Sequence, residues 1–134
     1  MLEGIVISGV DSMQARQDIW QVVKGQPGVK YYIDGRMGAQ VGELHHLDPN
    51  DANAIEVYER TLVDDGEIEE LPCTERTICY TQFVLAGLIG SLVRQVCVET
   101  TVSIPSPLTL DLQNGLVVPS GLIGKVMMEM LTPS

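Results

Sequence analysis

The sequence predicts a single α/β domain, and three observations carry that reading. Leu2 to Val10 is rich in Ile and Val and apolar on both alternating faces, as a strand buried between helical layers is. A helical pattern follows it at once, which suggests a parallel sheet. Near the other end, "LTLDLQNGLVVPS" places two strand-like runs around Asn114-Gly115, the dipeptide that best supplies the positive φ angles of a tight hairpin turn. At 134 residues, 45% of them hydrophobic, the chain is long enough to bury one core, and no repeat or low-complexity linker divides it.

Each element has its own signal. Ser12 to Lys24 carries Ala15, Ile19 and Val22-Val23 at helical spacing, with Asp11 or Ser12 as its cap and "GQPG" as its stop. "VKYYID" reads as a second strand, and "GRMGA" as a turn leading into a third across "QVGELHHL". Asn50 to Val63 opens with capping residues and sets Ile55, Tyr58 and Leu62 on one helical face, before an acidic loop, "DDGEIEELP". Thr74 to Val98 is the longest helical signal. Ile78, Leu85, Ile89, Leu92 and Val96 form its stripe, while Ala86, Gly87, Gly90 and Ser91 leave room for close packing, so this helix is expected to be largely buried. The tail "GLIGKVMMEML" reads as a helix, with Met127, Met128 and Met130 as adaptable packing.

Composition excludes several functions. Eight basic against eighteen acidic residues give a formal charge of -10, which repels phosphate backbones and anionic membranes, so nucleic acid is not the expected partner. No run reaches the roughly 18 apolar residues of a membrane span, and no cleavable signal opens the chain; a soluble, cytoplasmic protein is expected. Cys73, Cys79 and Cys97 lack any C-x-x-C spacing, which argues against a disulfide framework or a four-thiolate zinc site and for reduced thiols. His45 and His46 are adjacent on a strand and point to opposite faces, so they do not share a metal ion. Arg36 either contacts a substrate or partner, or anchors its turn by pairing with Asp34 or a loop carboxylate.

Asp11 falls where the first strand gives way to a helix. Ligands of open α/β sheets bind outside the carboxyl ends of parallel strands, and the free N–H groups of a helix start favour anions there. A carboxylate at that point suits a magnesium ion held against a nucleotide phosphate; it equally suits a plain helix cap, and spacing does not choose between them. Cys73, in "LPCT", precedes a long helix whose dipole favours a thiolate, whereas Asp64, Asp65, Glu67, Glu69 and Glu70 disfavour it. A nucleophile and an inert thiol are both open readings.

Three segments in order carry a resemblance. "VISGVDSMQARQDIW" resembles the aspartate-containing strand-to-helix segment of the ThiF/MoeB/HesA superfamily, the ubiquitin-activating-type adenylyltransferases. "YYIDGRMGAQVGEL" is similar to their next strand and turn, and "LPCTERTICYTQFVLAGLIGSLVRQV" to a later segment in which Cys-Thr precedes a small-residue-rich helix. The resemblance spans Gly4 to Val96. It implies a partial Rossmann-like, three-layer domain with a mixed sheet and a C-terminal β-hairpin. It also implies use of ATP and Mg²⁺ to adenylate the C-terminal glycine of a ubiquitin-like or sulfur-carrier protein, some relatives then passing it to a cysteine. Asp11 matches the aspartate of the Mg²⁺-ATP site, Arg16 the arginine that follows it, and Cys73 the cysteine before a threonine.

The family's glycine-rich loop, ribose-binding acid and catalytic arginine and lysine all precede that aspartate. Here ten residues precede Asp11, no G-x-G-x-x-G occurs, and paired C-x-x-C motifs are missing. Residues 1–134 are therefore expected to form the C-terminal half of an activating-type domain, inactive and without bound ATP when alone, and to pair as a homodimer through the edge of the Leu2 to Val10 strand. The alternatives are a non-catalytic dimerisation or interaction module of the same fold, and an unrelated α/β domain that binds a phosphorylated ligand near Asp11.

Overall fold

The computed structural model describes residues 2–38, 40–62, 79–98 and 101–131. In chain order these form β1 (Gly4–Ser8), α1 (Met13–Val23), β2 (Val29–Gly38), β3 (Val41–Leu47), α2 (Ala52–Glu59), α3 (Cys79–Cys97), β4 (Leu108–Asp111), β5 (Leu116–Pro119), a 3-10 turn (Ser120–Leu122) and α4 (Ile123–Leu131). Among the described residues the strands make one five-stranded mixed sheet in the order β1-β2-β3-β4-β5.

The parallel sheet expected from the first strand is confined to one pair. β1 and β2 run parallel, with α1 as their crossover, whereas β2–β3, β3–β4 and β4–β5 are antiparallel. Antiparallel neighbours need no helical crossover, and short connections bring β3 back on β2 and β5 back on β4. At the second of these, Gly115 adopts φ 69°, as the Asn-Gly signal requires.

The segment "GRMGA" is not the turn it resembles. β2 continues through it to Gly38, which pairs with Val41. Gly35 is there for packing: a Cβ at this position would lie 3.2 Å from Leu85 Cδ2 and 3.4 Å from Ile89 Cδ1, so its absence lets α3 lie close on the strand.

Alternation along the strands divides the core in two. Tyr32 and Leu47 face α1 and α2 and join Trp20, Val23, Val29 and Tyr58. Ile33 and Leu44 face the other way, joining Leu85, Leu92 and Val96 of α3 with Leu108 and Leu110 of β4. Ile55 and Leu62 pack with Tyr58 as the helical spacing of that segment requires.

Two helices differ from expectation in burial. α3 buries Leu85, Leu92 and Val96 but leaves Phe83 74% exposed, because a single face of it meets the sheet. α4 makes its main contact with the 3-10 turn before it, and Met128, Met130 and Leu131 are exposed rather than packed into a core. The acidic loop, Val63, and residues Thr74 to Ile78 of the long helical signal lie outside the described residues.

Candidate functional site

The turn after β1 is pinned at both ends. Ser12 caps α1: its Oγ accepts the Ala15 N–H at 3.1 Å. Asp11 is thus not the cap but the residue before it. On the other side Arg16, one turn into the helix and 5% exposed, donates from Nη2 to the Val10 carbonyl at 2.8 Å. Asp11 sits between these anchors, exposed, and its carboxylate has no hydrogen-bond or ion-pair partner among the described residues.

Arg16 is held by a buried carboxylate. Its Nε donates to Asp34 Oδ1 at 2.8 Å, and Asp34, fully buried on β2, is the register partner of Ser8 at the end of β1. Asp34 Oδ2 accepts two further hydrogen bonds, from Arg36 Nε at 2.9 Å and the Tyr58 hydroxyl at 2.8 Å. The pairing of Arg36 with Asp34, one of the readings that the sequence left open, is present, within a larger arrangement than sequence suggested. Arg36 also donates to the carbonyl and Oγ1 of Thr61 at 3.1 and 2.8 Å, and its guanidinium carbon stands 5.8 Å from the centre of the Tyr58 ring. One carboxylate therefore ties α1, β2 and the end of α2 together.

Two cations against one anion leave a positive excess, and Glu43 offsets it. It is the register partner of Arg36 on β3, and its Oε2 accepts the His45 Nε2–H at 2.8 Å. That hydrogen bond, helped by the charges of His45 and Arg36, holds the Glu43 carboxyl below its ordinary range against the opposing effect of burial. The Tyr58 hydroxyl is pushed far above the tyrosine range, first by burial and then by the Asp34 charge, so it stays a neutral donor.

The histidines part as expected. His45 shares the Asp34 side, while His46 lies with Tyr31 on the α3 side. The carbonyls of Ile104 and Pro105, at 2.8 and 3.1 Å from His46 Nε2, can only accept, so the proton is on Nε2 and Nδ1 accepts from the Tyr31 hydroxyl at 2.8 Å. Burial lowers the His46 pKa and outweighs these carbonyls, which favour the charged ring. Among the described residues no group of three or more His, Cys, Asp or Glu side chains is placed to hold a metal ion.

Cys73 lies outside the described residues, and Cys97, at the end of the helix expected to be largely buried, is exposed and free. Among the described residues, two of the concavities have volumes of about 460 Å³ each. One lies between α1 and the end of α2, the other beside Tyr31, His45, His46 and the start of α2; neither includes Asp11, which stands on open surface. No family model matches the sequence, and neither the curated proteins nor the solved structures contain a match.

Proposed function

We propose that this chain contributes the metal-facing carboxylate of an ATP-dependent adenylation site of the ThiF type, in a partial Rossmann-like domain. The observation that carries the reading is Asp11 itself, a carboxylate without a partner among the described residues, beyond the carboxyl end of the parallel strand β1, on a turn fixed by Arg16 and Ser12. Its donor set fits Mg²⁺ shared with a nucleotide, because that ion is commonly held by one or two carboxylates plus phosphate oxygens rather than by an all-protein cage. When bound, Mg²⁺ and ATP supply the activated phosphate and the neutralisation of its charge. Asp11 presents the carboxylate, and Arg16, whose guanidinium is spent on Asp34 and Val10, is a positioning residue rather than a nucleotide contact. The phosphates must be cradled by other polypeptide, since these 134 residues hold no glycine-rich loop. The outer edge of β1, which carries no strand among the described residues, is where such polypeptide would continue the sheet. The protein substrate is the C-terminus of a ubiquitin-like or sulfur-carrier protein, the compartment is the cytoplasm, and Cys73 is the candidate acceptor thiol.

The test is ATP–pyrophosphate exchange in the presence of a carrier protein, whose C-terminal carboxylate takes the adenylyl group as pyrophosphate leaves and gives it back in the reverse step. The 134-residue chain alone shows no exchange above background, and exchange appears when the polypeptide encoding the phosphate loop is joined to it. Asp11→Asn then lowers the rate about 100-fold or more with an unchanged melting temperature. Exchange by the chain alone, or undiminished exchange in Asp11→Asn, refutes the reading.

The interaction-module reading is favoured by a different observation, the open apolar face of α3. It predicts no nucleotide effect in any assembly.

A further inference from the structure

The concavity beside the start of α2 holds a polar atom that no described residue satisfies. His45 lines it and is only 3% exposed. The ring is fixed from two sides, since Nε2 donates to Glu43 and Tyr58 meets the ring edge-on with 6.1 Å between centres. Nδ1 has no hydrogen-bond partner among the described residues. The described side-chain nitrogens and oxygens that are sealed from solvent all have partners, Ser8 Oγ excepted, so Nδ1 is not sealed. The opening that reaches it is the concavity that this otherwise buried ring lines. With the proton on Nε2, Nδ1 presents a lone pair there, and a shielded acceptor of this kind favours an occupant that donates to it.

The rest of the lining gives that occupant a charge and a shape. Asp48 and Asp51 stand along the concavity, and among the described residues neither lysine nor arginine lines it. Asp51 Oδ1 accepts the N–H groups of Asn53 and Ala54, which closes the start of α2 to an anion, and Asp48 Oδ1 accepts that of Asn50. Each aspartate keeps its second oxygen without a partner among the described residues, so the potential in the concavity is negative. Leu47, Ala54, Val57 and Pro107 supply an apolar wall, and a volume of about 460 Å³ lies within the range of small-molecule sites. We infer that this concavity binds a small organic cation, an ammonium group on a compact apolar body. One N–H of the ammonium donates to His45 Nδ1, while Asp48 and Asp51 attract its charge. The concavity does not include Asp11, and the inference does not depend on adenylation.

Benzylammonium is the probe. Calorimetry on the 134-residue chain should give a dissociation constant of about 1 mM or below. Methylammonium, benzyl alcohol and benzoate, which lack the body, the charge or its sign, should each bind at least about tenfold more weakly. In nitrogen NMR, saturating benzylammonium should move the His45 Nδ1 resonance more than either nitrogen of His46, both of which already hold partners. Asp48→Asn combined with Asp51→Asn keeps the oxygen acceptors and the cap of α2, so the melting temperature should stay within about 2 °C while binding weakens at least about threefold. His45→Phe keeps a ring but removes the lone pair, and should weaken binding at least about tenfold; if that variant does not fold, the Nδ1 resonance of the parent chain decides the same point. No binding at about 10 mM, benzyl alcohol or methylammonium binding as well as benzylammonium, benzoate binding more tightly, an unmoved Nδ1 resonance, or undiminished affinity in the double variant overturns the inference.

Discussion

On one side of the sheet Trp20, Tyr32 and Tyr58 enclose a chain of buried ion pairs running from Arg16 through Asp34 to Arg36, while on the other Ile33, Leu44, Leu92 and Leu110 meet as an apolar cluster without an ion pair among them, beside the hydrogen-bonded Tyr31 and His46. The two sides are comparably buried, yet they tolerate different changes. An apolar cluster responds to lost volume and accepts another shape of similar size. A carboxylate shared by two guanidiniums responds to lost charge, since its neighbours cannot leave for water.

The largest effect should come from Asp34. Asp34→Ala strands Arg16 and Arg36 and should cost about 4 kcal/mol in urea unfolding, and Asp34→Asn, which keeps the shape, should cost nearly as much. On the other side Leu92→Ala should cost about 3 kcal/mol and Leu92→Met less than about 1.5. If Asp34→Asn were as mild as Leu92→Met, the two sides would not differ in kind.

Next in size is pH. Because burial holds the folded pKa of His46 below its ordinary 6.5, the unfolded chain binds that proton more readily, and stability falls as pH drops below about 6.5. One such group contributes a slope of at most about 1.4 kcal/mol per pH unit, which His46→Gln should flatten in that window. Glu43, with its carboxyl held below 4.5, adds a second loss only under that pH. The smallest effects sharpen the assignment at α1. Ser12→Ala should cost about 1 kcal/mol as a lost cap, and Asp11→Asn should stay within about 0.5. A reversal of these two would return the capping role to Asp11.

What could be seen in sequence was what depends on neighbours along the chain. The β4–β5 hairpin was legible because Asn114-Gly115 determines its own turn, and α1 and α2 because their apolar spacing and caps are local. The end of β2 was not, since the reason for Gly35 is α3, fifty residues on in the chain, and a glycine under a helix is indistinguishable from a glycine in a turn. The exposed position of Asp11 was visible through its place after a strand, but its support was hidden. Tyr58, Thr61 and Glu43 converge on Asp34 and Arg36 from separate parts of the chain, and nothing in their spacing announces it. The one local hint was the pair Asp34 and Arg36, two apart and so on one side of a strand.

The buried carboxylate of Asp34 also settles which residue of β2 stands beside which. β2 is hydrogen-bonded on both flanks, parallel to Ser8 and antiparallel to His45, and a ladder of backbone bonds can be satisfied in more than one alignment. Sliding β2 by a single residue would turn Asp34 toward Leu85 and Leu92 and set Ile33 or Gly35 before two guanidiniums. Every such misalignment trades a matched charge for an unmatched one on each side of the sheet, so Asp34 acts as a registration pin for the strand on which the rest of the sheet is laid.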